Sequence, residues 1–282
     1  MKRLLRTLFF VALLLLGGCL GKVRTDDAYR QELIVEGRIE AGGRAEVVLT
    51  TNLAAMGEIT QEMLEEAVVR WAKVTVASDD ETEVLTGYRT DDYMPGFVYR
   101  SNRILGRAGG SYRLTVEYSG LTLTAETTIP ASVALDAVEC VPVDGDHYMI
   151  QARFRDPVQK NAYLFECRTA EEGFFRPALL GVVDDTLFPD HVADITVNRP
   201  LDYVHIGDYS QYFHRDEEVV VRFSAMGEFG YHFWSLFEDE VLNAMNPIFP
   251  STVNLPSNIG GGGRGIWCGY ASRYYRVAWP QR

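Results

Sequence analysis

The first candidate for chemistry in this sequence is a thiol near the N-terminus, in a Leu-Gly-Gly-Cys sequence that ends at Cys19. Small residues ahead of a cysteine form a lipobox, where a signal peptidase cleaves and the thiol carries lipid. Lys2, Arg3 and Arg6 precede an apolar run that is shorter than the roughly 20 residues of a spanning helix. Residues 1–18 are therefore predicted to be a signal peptide, and Cys19 is predicted to attach the mature chain to a membrane through palmitate-like acyl chains.

The residues that follow the lipobox bear on which membrane carries the anchor. Residues 19–31 are polar and without periodicity, which favours a flexible lipid-anchored tether. Leu20 stands where an Asp would signal retention in the inner membrane, so we expect an outer-membrane lipoprotein. The sequence leaves open whether the body faces the periplasm or the cell surface.

A glycine run at 260–265 has the letters of a dinucleotide-binding motif. That chemistry needs a strand before the glycines and a helix N-terminus after them, to hold the pyrophosphate. Here prolines precede the run, and residues 266–270 have an extended pattern. The run is therefore predicted to be a loop that enters a strand, and nucleotide binding is not expected.

Other catalytic and metal-binding patterns are weak. The densest polar cluster is an acidic stretch that fits no EF-hand spacing and is interpreted as a solvated loop: Asp184, Asp185, Asp190, His191 and Asp194. The five histidines, at 147, 191, 205, 214 and 232, show no metal-ligand spacing. The sequence has no G-x-S-x-G, H-E-x-x-H or G-K-[ST] motif. We therefore expect no catalytic residues, no metal and no cofactor, although a lone serine nucleophile stays open.

Three cysteines remain after the anchor: Cys140, Cys167 and Cys268. An odd number cannot pair completely within one chain. A disulfide between Cys140 and Cys167 and a pair of buried thiols are both open. No C-x-x-C or His pair accompanies these cysteines, so a zinc site is not expected.

The charge of the chain limits its partners. The net charge is −12 over 282 residues, and removal of residues 1–18 with their three basic side chains changes it to −15. An acidic body of this kind is repelled by nucleic acid and by anionic lipid headgroups. Nucleic acid is therefore excluded as a partner.

Side-chain alternation predicts a mainly β body with one or two short helices. Residues 112–118 and 121–125 read as a hairpin around Ser119-Gly120, and similar strands are predicted at 72–76, 148–154, 163–167 and 219–223. Apolar spacing near 3.6 predicts helices around 59–67 and 227–245. Pro130 marks a boundary, so we predict two β-sandwich domains of immunoglobulin or transthyretin type at 32–130 and 131–282.

The segment from Asn246 to Tyr275, with its glycine-rich loop at 256–265, has no periodic face to bury. Long irregular loops are commonly functional or exposed. We expect its aromatic side chains and one arginine to meet a partner at the surface, with Trp267→Ala weakening binding but not stability. The residues are Trp267, Tyr270, Tyr274 and Arg264.

Short motifs follow one another along the chain: the lipobox, LIVEGRI at 33–39, Ala72-x-Val74-x-Val76, YRLTV at 112–116, Asn246-Pro247, Asn258-Ile259 and Gly269-Tyr270. In this order they resemble a family of Bacteroidota outer-membrane lipoproteins catalogued as a domain of unknown function. The first half is also similar to carboxypeptidase-regulatory and transthyretin-like sandwiches. Cys268 departs from the pattern, because a small residue is expected there.

The resemblance implies a function rather than a reaction. Members of that family are typically encoded beside TonB-dependent receptors, which implies an accessory role in uptake or surface assembly, and the family has no catalytic residues to carry over. We therefore expect a non-catalytic, lipid-anchored binding protein that serves an outer-membrane transporter. A lipid-anchored hydrolase and a structural cell-surface protein remain as alternatives. The ligand is open among small molecules, peptides and glycans.

Overall fold

Strands with one buried and one exposed face dominate the structure, which is a computed structural model. It describes residues 32–52, 60–93, 95–158, 160–170, 173–188, 190–201, 209–244 and 254–279. The predicted signal peptide, Cys19, the tether and Asn246-Pro247 lie outside these residues, so their assignments stay predictions.

The N-terminal half contributes eight strands and a short helix to the described part of the chain. The strands are β1 (Leu33–Glu40), β2 (Arg44–Thr51), β3 (Lys73–Ala77), β4 (Thr82–Val84), β5 (Thr86–Arg89), β6 (Phe97–Leu105), β7 (Ser111–Tyr118) and β8 (Leu121–Thr128). Helix α1 (Gln61–Glu66) begins after Thr60, whose hydroxyl accepts a hydrogen bond from the Met63 N–H at 3.3 Å. The predicted β7–β8 hairpin is confirmed, and Ser119 and Gly120 both have positive φ, which suits its tight turn.

The C-terminal half adds eight described strands and a longer helix. The strands are β9 (Ala137–Pro142), β10 (His147–Arg155), β11 (Ala162–Thr169), β12 (Arg176–Asp184), β13 (Val192–Val197), β14 (Phe213–His214), β15 (Glu218–Met226) and β16 (Arg264–Ala278). A 3₁₀ turn covers Asp185–Leu187. Helix α2 (Glu228–Ala244) confirms the helix predicted at 227–245 over the residues that the structure describes there.

Within the described residues these strands form three sheets. The large sheet has the order β12-β11-β15-β16-β1-β2-β6-β5. One smaller sheet has the order β4-β3-β7-β8, and the other is built on β10, which pairs with β9, β13 and β14. The predicted mainly β, sandwich-type fold with two helices is confirmed.

The large sheet joins the two halves of the chain. Strand β1 pairs in parallel with β16 over seven residues, from Ile34 opposite Arg264 to Glu40 opposite Tyr270. Strands from both sides of the predicted boundary at Pro130 therefore share one sheet, and residues 32–282 form one compact unit. Pro130 separates β8 from β9 along the chain, but the hydrogen-bonded sheet continues across that division.

The two faces of the large sheet have different neighbours. Buried side chains of its inner face form one continuous cluster with those of both smaller sheets; Val35, Leu114, Phe154, Phe223 and Trp267 are members. On the outer face, α2 packs over β11, β12 and β16, where Phe233 lies against a second, smaller cluster that includes Tyr270. The part of the outer face beyond α2 holds the features described next.

Candidate functional site

The structure separates the four side chains predicted to bind a partner. Trp267 is 0% exposed and belongs to the inner core. Its indole N–H donates to the Tyr112 carbonyl at 3.1 Å, which satisfies the one polar atom of the ring. The expectation of an exposed indole is therefore wrong, because β16 turns this side chain between the sheets.

Tyr270 is also buried, on the outer face of the sheet. Its hydroxyl accepts a hydrogen bond from the Trp234 indole of α2 at 2.8 Å, and the Arg38 guanidinium lies 4.7 Å from its ring centre. Burial, with the Cys268 thiol nearby, raises the pKa of Tyr270 well above its usual range. The expectation of an exposed ring is wrong here too, since the helix covers it.

Tyr274 is the predicted aromatic side chain that reaches solvent, and it is 53% exposed. Its hydroxyl donates to Glu40 Oε2 at 2.6 Å. Partial burial and the Glu40 carboxylate raise the pKa of Tyr274 to about 12, so the phenol stays a neutral donor at physiological pH. Arg264 is half-buried where β16 begins, opposite Ile34.

Four charged side chains beside Tyr270 and Tyr274 form a closed ring, which we call the ion ring: Arg38, Glu40, Arg222 and Glu166. Each arginine contacts both glutamates. Arg38 Nη2 lies 2.6 Å from Glu40 Oε1, and Arg38 Nη1 lies 3.5 Å from Glu166 Oε1. Arg222 Nη1 lies 3.6 Å from Glu40 Oε1, while Arg222 also forms a bidentate pair with Glu166. None of the four side chains is more than 14% exposed.

Charge balance explains how this ring tolerates burial. Burial alone would raise the pKa of Glu166, but Arg222 and Arg38 outweigh it and hold the pKa below its usual value. Glu36 lies on the same strand face, and its side chain is exposed. Desolvation by the neighbouring protein raises the pKa of Glu36 despite Arg38 nearby. Two arginines therefore face two glutamates in the ring, with Glu36 as an accessible carboxylate beside it.

Two loops meet over the ring and place aromatic side chains beside it. Phe175, from the β11–β12 loop, lies with its ring centre 4.3 Å from the Arg222 guanidinium and 5.8 Å from the Tyr274 ring. The Arg168 guanidinium also lies against Phe175, 4.7 Å from the centre of its ring. Tyr93, from the β5–β6 loop, donates to Glu46 Oε2 at 2.5 Å. We call Tyr93, Arg168, Phe175 and Tyr274 the aromatic patch.

The aromatic patch has the chemistry of a contact surface. All four side chains are partly or largely accessible. Tyrosine and arginine are enriched among the residues that dominate protein interfaces, because they combine large apolar area with hydrogen-bonding groups. The ion ring beneath holds Phe175 and Tyr274 in place, so little side-chain freedom would be lost on binding.

A second feature is an open groove of about 640 Å³ between β7, β8 and the start of α2. It is lined by residues 77–79, 111–113, 126–128 and 227–230, with Asn258, Trp267 and Cys268. Asn258 holds the floor by accepting from the Trp267 N–H at 2.9 Å and donating to the Trp267 carbonyl at 2.8 Å. The Arg113–Glu126 ion pair lies along its exposed wall.

The glycine run has a packing role. Gly260 bridges to Thr124 of β8, and a Cβ added at Gly261 would lie 2.1 Å from the Thr122 carbonyl oxygen. Gly261 also has φ +86°, which side chains rarely adopt. The chain then enters β16, so the predicted loop leading into a strand is confirmed.

The remaining sequence candidates are dispersed. Cys140 lies on β9, Cys167 on β11 and Cys268 on β16, and all three are thiols. Burial raises the pKa of Cys268 to about 12. In the acidic stretch, Asp194 accepts hydrogen bonds from Gln151 and Arg153 of the neighbouring strand. No described helix is both long and apolar enough to cross a membrane.

The chain matches no family model and no curated protein.

Sequence reasoning missed the ion ring and Phe175. A signal of the ion ring was present in β1, where Glu36, Arg38 and Glu40 alternate with apolar residues and mark one polar face. Alternation predicts which residues share a face, but it cannot tell that two loops and a helix pack over that face.

Proposed function

We propose that this chain is a lipid-anchored outer-membrane lipoprotein that works by binding, as the accessory partner of a TonB-dependent transporter. The lipobox at Cys19 supports the anchor, and the resemblance to Bacteroidota lipoproteins supports the class of partner. The aromatic patch is the surface we assign to this contact.

One observation carries the assignment of the surface: exposed Tyr274 is fixed by buried charges. Its hydroxyl is bound to Glu40 of the ion ring, and its ring packs against Phe175, which itself stacks on Arg222. Buried ion pairs contribute little net stability, so a closed ring of four is better explained by the geometry it imposes. Here that geometry presents an aromatic, hydrogen-bonding surface.

The paired state of the charges also favours binding over catalysis. A general acid or base must have a proton to exchange near physiological pH. Glu166 is held ionised by two arginines, and the Tyr274 phenol has a pKa of about 12. These groups support recognition by contact and hydrogen bonding.

Copurification from the native outer membrane tests the proposal. Tyr274→Ser should reduce the recovery of the transporter with the tagged lipoprotein, while the melting temperature stays nearly unchanged. Tyr88→Ser is the matched control, because Tyr88 is also an exposed strand tyrosine whose hydroxyl donates one hydrogen bond, to Asn102 at 2.8 Å. Equal recovery of the transporter with both variants would show that the contact lies outside the aromatic patch.

The anchor has its own test. Cys19→Ser should abolish acylation and release or mislocalise the protein, which mass spectrometry and membrane fractionation measure. A variant that is still acylated in the outer membrane contradicts the lipoprotein assignment. A correctly anchored wild-type protein that recovers no transporter would instead favour a structural surface protein or a hydrolase.

A further inference from the structure

Two histidines from distant parts of the sequence meet on the surface of the β10 sheet. His147 of β10 and His214 of β14 are paired across antiparallel strands, so their side chains lie on the same face. Their ring centres are 5.6 Å apart, with the planes at 88°. The side chains are 40% and 48% exposed, so a small solute can reach both rings.

Each imidazole is oriented by a carboxylate. His147 Nδ1 lies 3.0 Å from both carboxylate oxygens of Asp144, and His214 Nδ1 is hydrogen-bonded to Asp216 Oδ1. An ionised carboxylate only accepts hydrogen bonds, so Nδ1 is the protonated nitrogen in each ring. In a neutral imidazole this tautomer has its free lone pair on Nε2. A carboxylate on the distal nitrogen is the usual second partner of a metal-ligating histidine.

The backbone around both histidines is also fixed. The His147 N–H donates to Asp144 Oδ1 at 2.8 Å, and the His214 N–H donates to Glu217 Oε2 at 2.6 Å. The two turns are joined because the Arg215 N–H donates to the Asp146 carbonyl at 2.8 Å. The relative position of the two rings is therefore held by the sheet and by its turns.

The separation of the rings fits a shared ion. With a metal–nitrogen bond of about 2.0–2.1 Å and a ring centre about 1.1 Å further on, each ring centre would lie about 3.2 Å from the metal. Ligand angles of about 110–120° then place the two centres about 5.2–5.5 Å apart. The observed 5.6 Å is within a few tenths of an ångström of that range, which small rotations of exposed side chains can supply.

The local charge favours a dication. Four carboxylates surround the pair: Asp144, Asp146, Asp216 and Glu217. Two arginines face the same turns: Arg215, which lies 4.0 Å from Asp146, and Arg199, which pairs with Glu217 at 2.6 Å. The carboxylates exceed the arginines by two, so bringing a divalent cation to the rings is electrostatically favourable.

We propose that His147 and His214 form a bidentate surface site for a divalent transition-metal ion that prefers imidazole, such as Zn²⁺, Ni²⁺ or Cu²⁺. Within the described ranges no group of three potential metal-ligating side chains occurs, so water would have to complete the coordination. The site is independent of the aromatic patch and of the transporter assigned to it. It would allow the lipoprotein to carry or sense a metal ion outside the cytoplasm.

Titration of the purified full-length lipoprotein in detergent with ZnCl₂, followed by calorimetry, tests the site. One ion should bind per chain, and either His147→Asn or His214→Asn should weaken binding at least about tenfold. Asp216→Asn, which removes only the carboxylate partner of His214, should weaken it about 10–100-fold. His232→Asn is the matched control, since His232 is an exposed histidine on α2.

Copper provides a readout that does not depend on affinity. The electron paramagnetic resonance spectrum of the Cu²⁺ complex should show two equivalent imidazole nitrogens, and His147→Asn should leave one. Absence of Zn²⁺ binding to the wild type, or a spectrum that both single variants leave unchanged, would overturn the proposal.

Discussion

Arg222 donates two parallel hydrogen bonds to Glu166 on the outer face of the large sheet. Its Nε donates to Oε2 at 2.5 Å, and its Nη2 donates to Oε1. The two residues are paired across strands β11 and β15, and both are buried. This bidentate contact is the firmest side of the ion ring, and it fixes the guanidinium over which Phe175 lies.

Glu166→Gln should destabilise the protein strongly. The substitution keeps the size of the side chain but leaves Arg222 and Arg38 with one glutamate between them, Glu40. Removing one partner of a buried ion pair costs about 3–5 kcal/mol, because the other charge stays desolvated. Urea unfolding measures the loss.

The exposed Arg113–Glu126 pair provides the comparison. Both of its side chains are largely solvated, at 65% and 69% exposure, so Glu126→Gln should cost less than about 1 kcal/mol. Equal losses for Glu166→Gln and Glu126→Gln would show that burial does not raise the cost of removing one partner of an ion pair.

Glu238 on α2 should make the protein less stable as the pH rises. Its Oε1 accepts a hydrogen bond from the Gly181 N–H at 2.8 Å, and burial raises its pKa to about 7. Between the pKa of a free glutamate, about 4.3, and 7, the folded chain holds a proton that the unfolded chain has lost. The free energy of unfolding should therefore fall as pH rises through this window and level off above it.

Glu238→Gln tests that dependence. The amide keeps a carbonyl oxygen for the Gly181 N–H but does not titrate, so the decline with pH should be shallower and the variant relatively more stable at pH 8. Urea unfolding from pH 5 to pH 8 measures both curves. Glu62→Gln, on exposed α1, should leave the wild-type curve unchanged, and parallel curves for Glu238→Gln would contradict the prediction.

Local patterns in the sequence predict much of the fold. The β7–β8 hairpin follows from strict alternation on both sides of Ser119-Gly120, where two positive φ values close the turn. Helix α2 follows from apolar spacing over a run long enough to define its face. In both cases the pattern that predicts the element lies within the element's own residues.

Contacts between distant segments cannot be predicted from the local sequence. The parallel pairing that places Arg38 beside Cys268 joins residues from opposite ends of the chain. The same applies to His147 and His214, whose spacing matches no metal motif because β10 and β14 bring them together. Nothing in either local sequence specifies its partner strand, so the ion ring and the histidine pair emerge only from the sheets.

A fragment of residues 32–130 tests whether the N-terminal half folds alone. Sequence boundaries favour independence, but the fragment lacks β16, which pairs with β1 over seven residues and supplies Trp267 to the core. The large sheet would gain an open edge at β1. We therefore expect no cooperative unfolding transition by circular dichroism, in contrast to the full chain. A sharp two-state transition of the fragment would restore the domain boundary at Pro130.

Trp267→Ala should unfold the protein more readily instead of acting on partner binding alone. The indole is fully buried, and its N–H is bonded to the Tyr112 carbonyl. Truncation of a buried aromatic ring to alanine costs about 3–5 kcal/mol, through lost apolar burial and the cavity that remains. Trp71→Ala is the control, because Trp71 is 91% exposed and its loss should change stability by less than about 0.5 kcal/mol.

Gly37 tests whether the Trp267 indole is held by close packing. A Cβ added at Gly37 would lie 2.7 Å from Trp267 Cε3, so Gly37→Ala should cost about 1–3 kcal/mol in the wild type. In a Trp267→Leu variant the indole atom is absent, so Gly37→Ala should lower the free energy of unfolding by less. A double-mutant cycle by urea unfolding measures this coupling. Additive costs would mean that the glycine is needed for its backbone and not for the room it leaves to the indole.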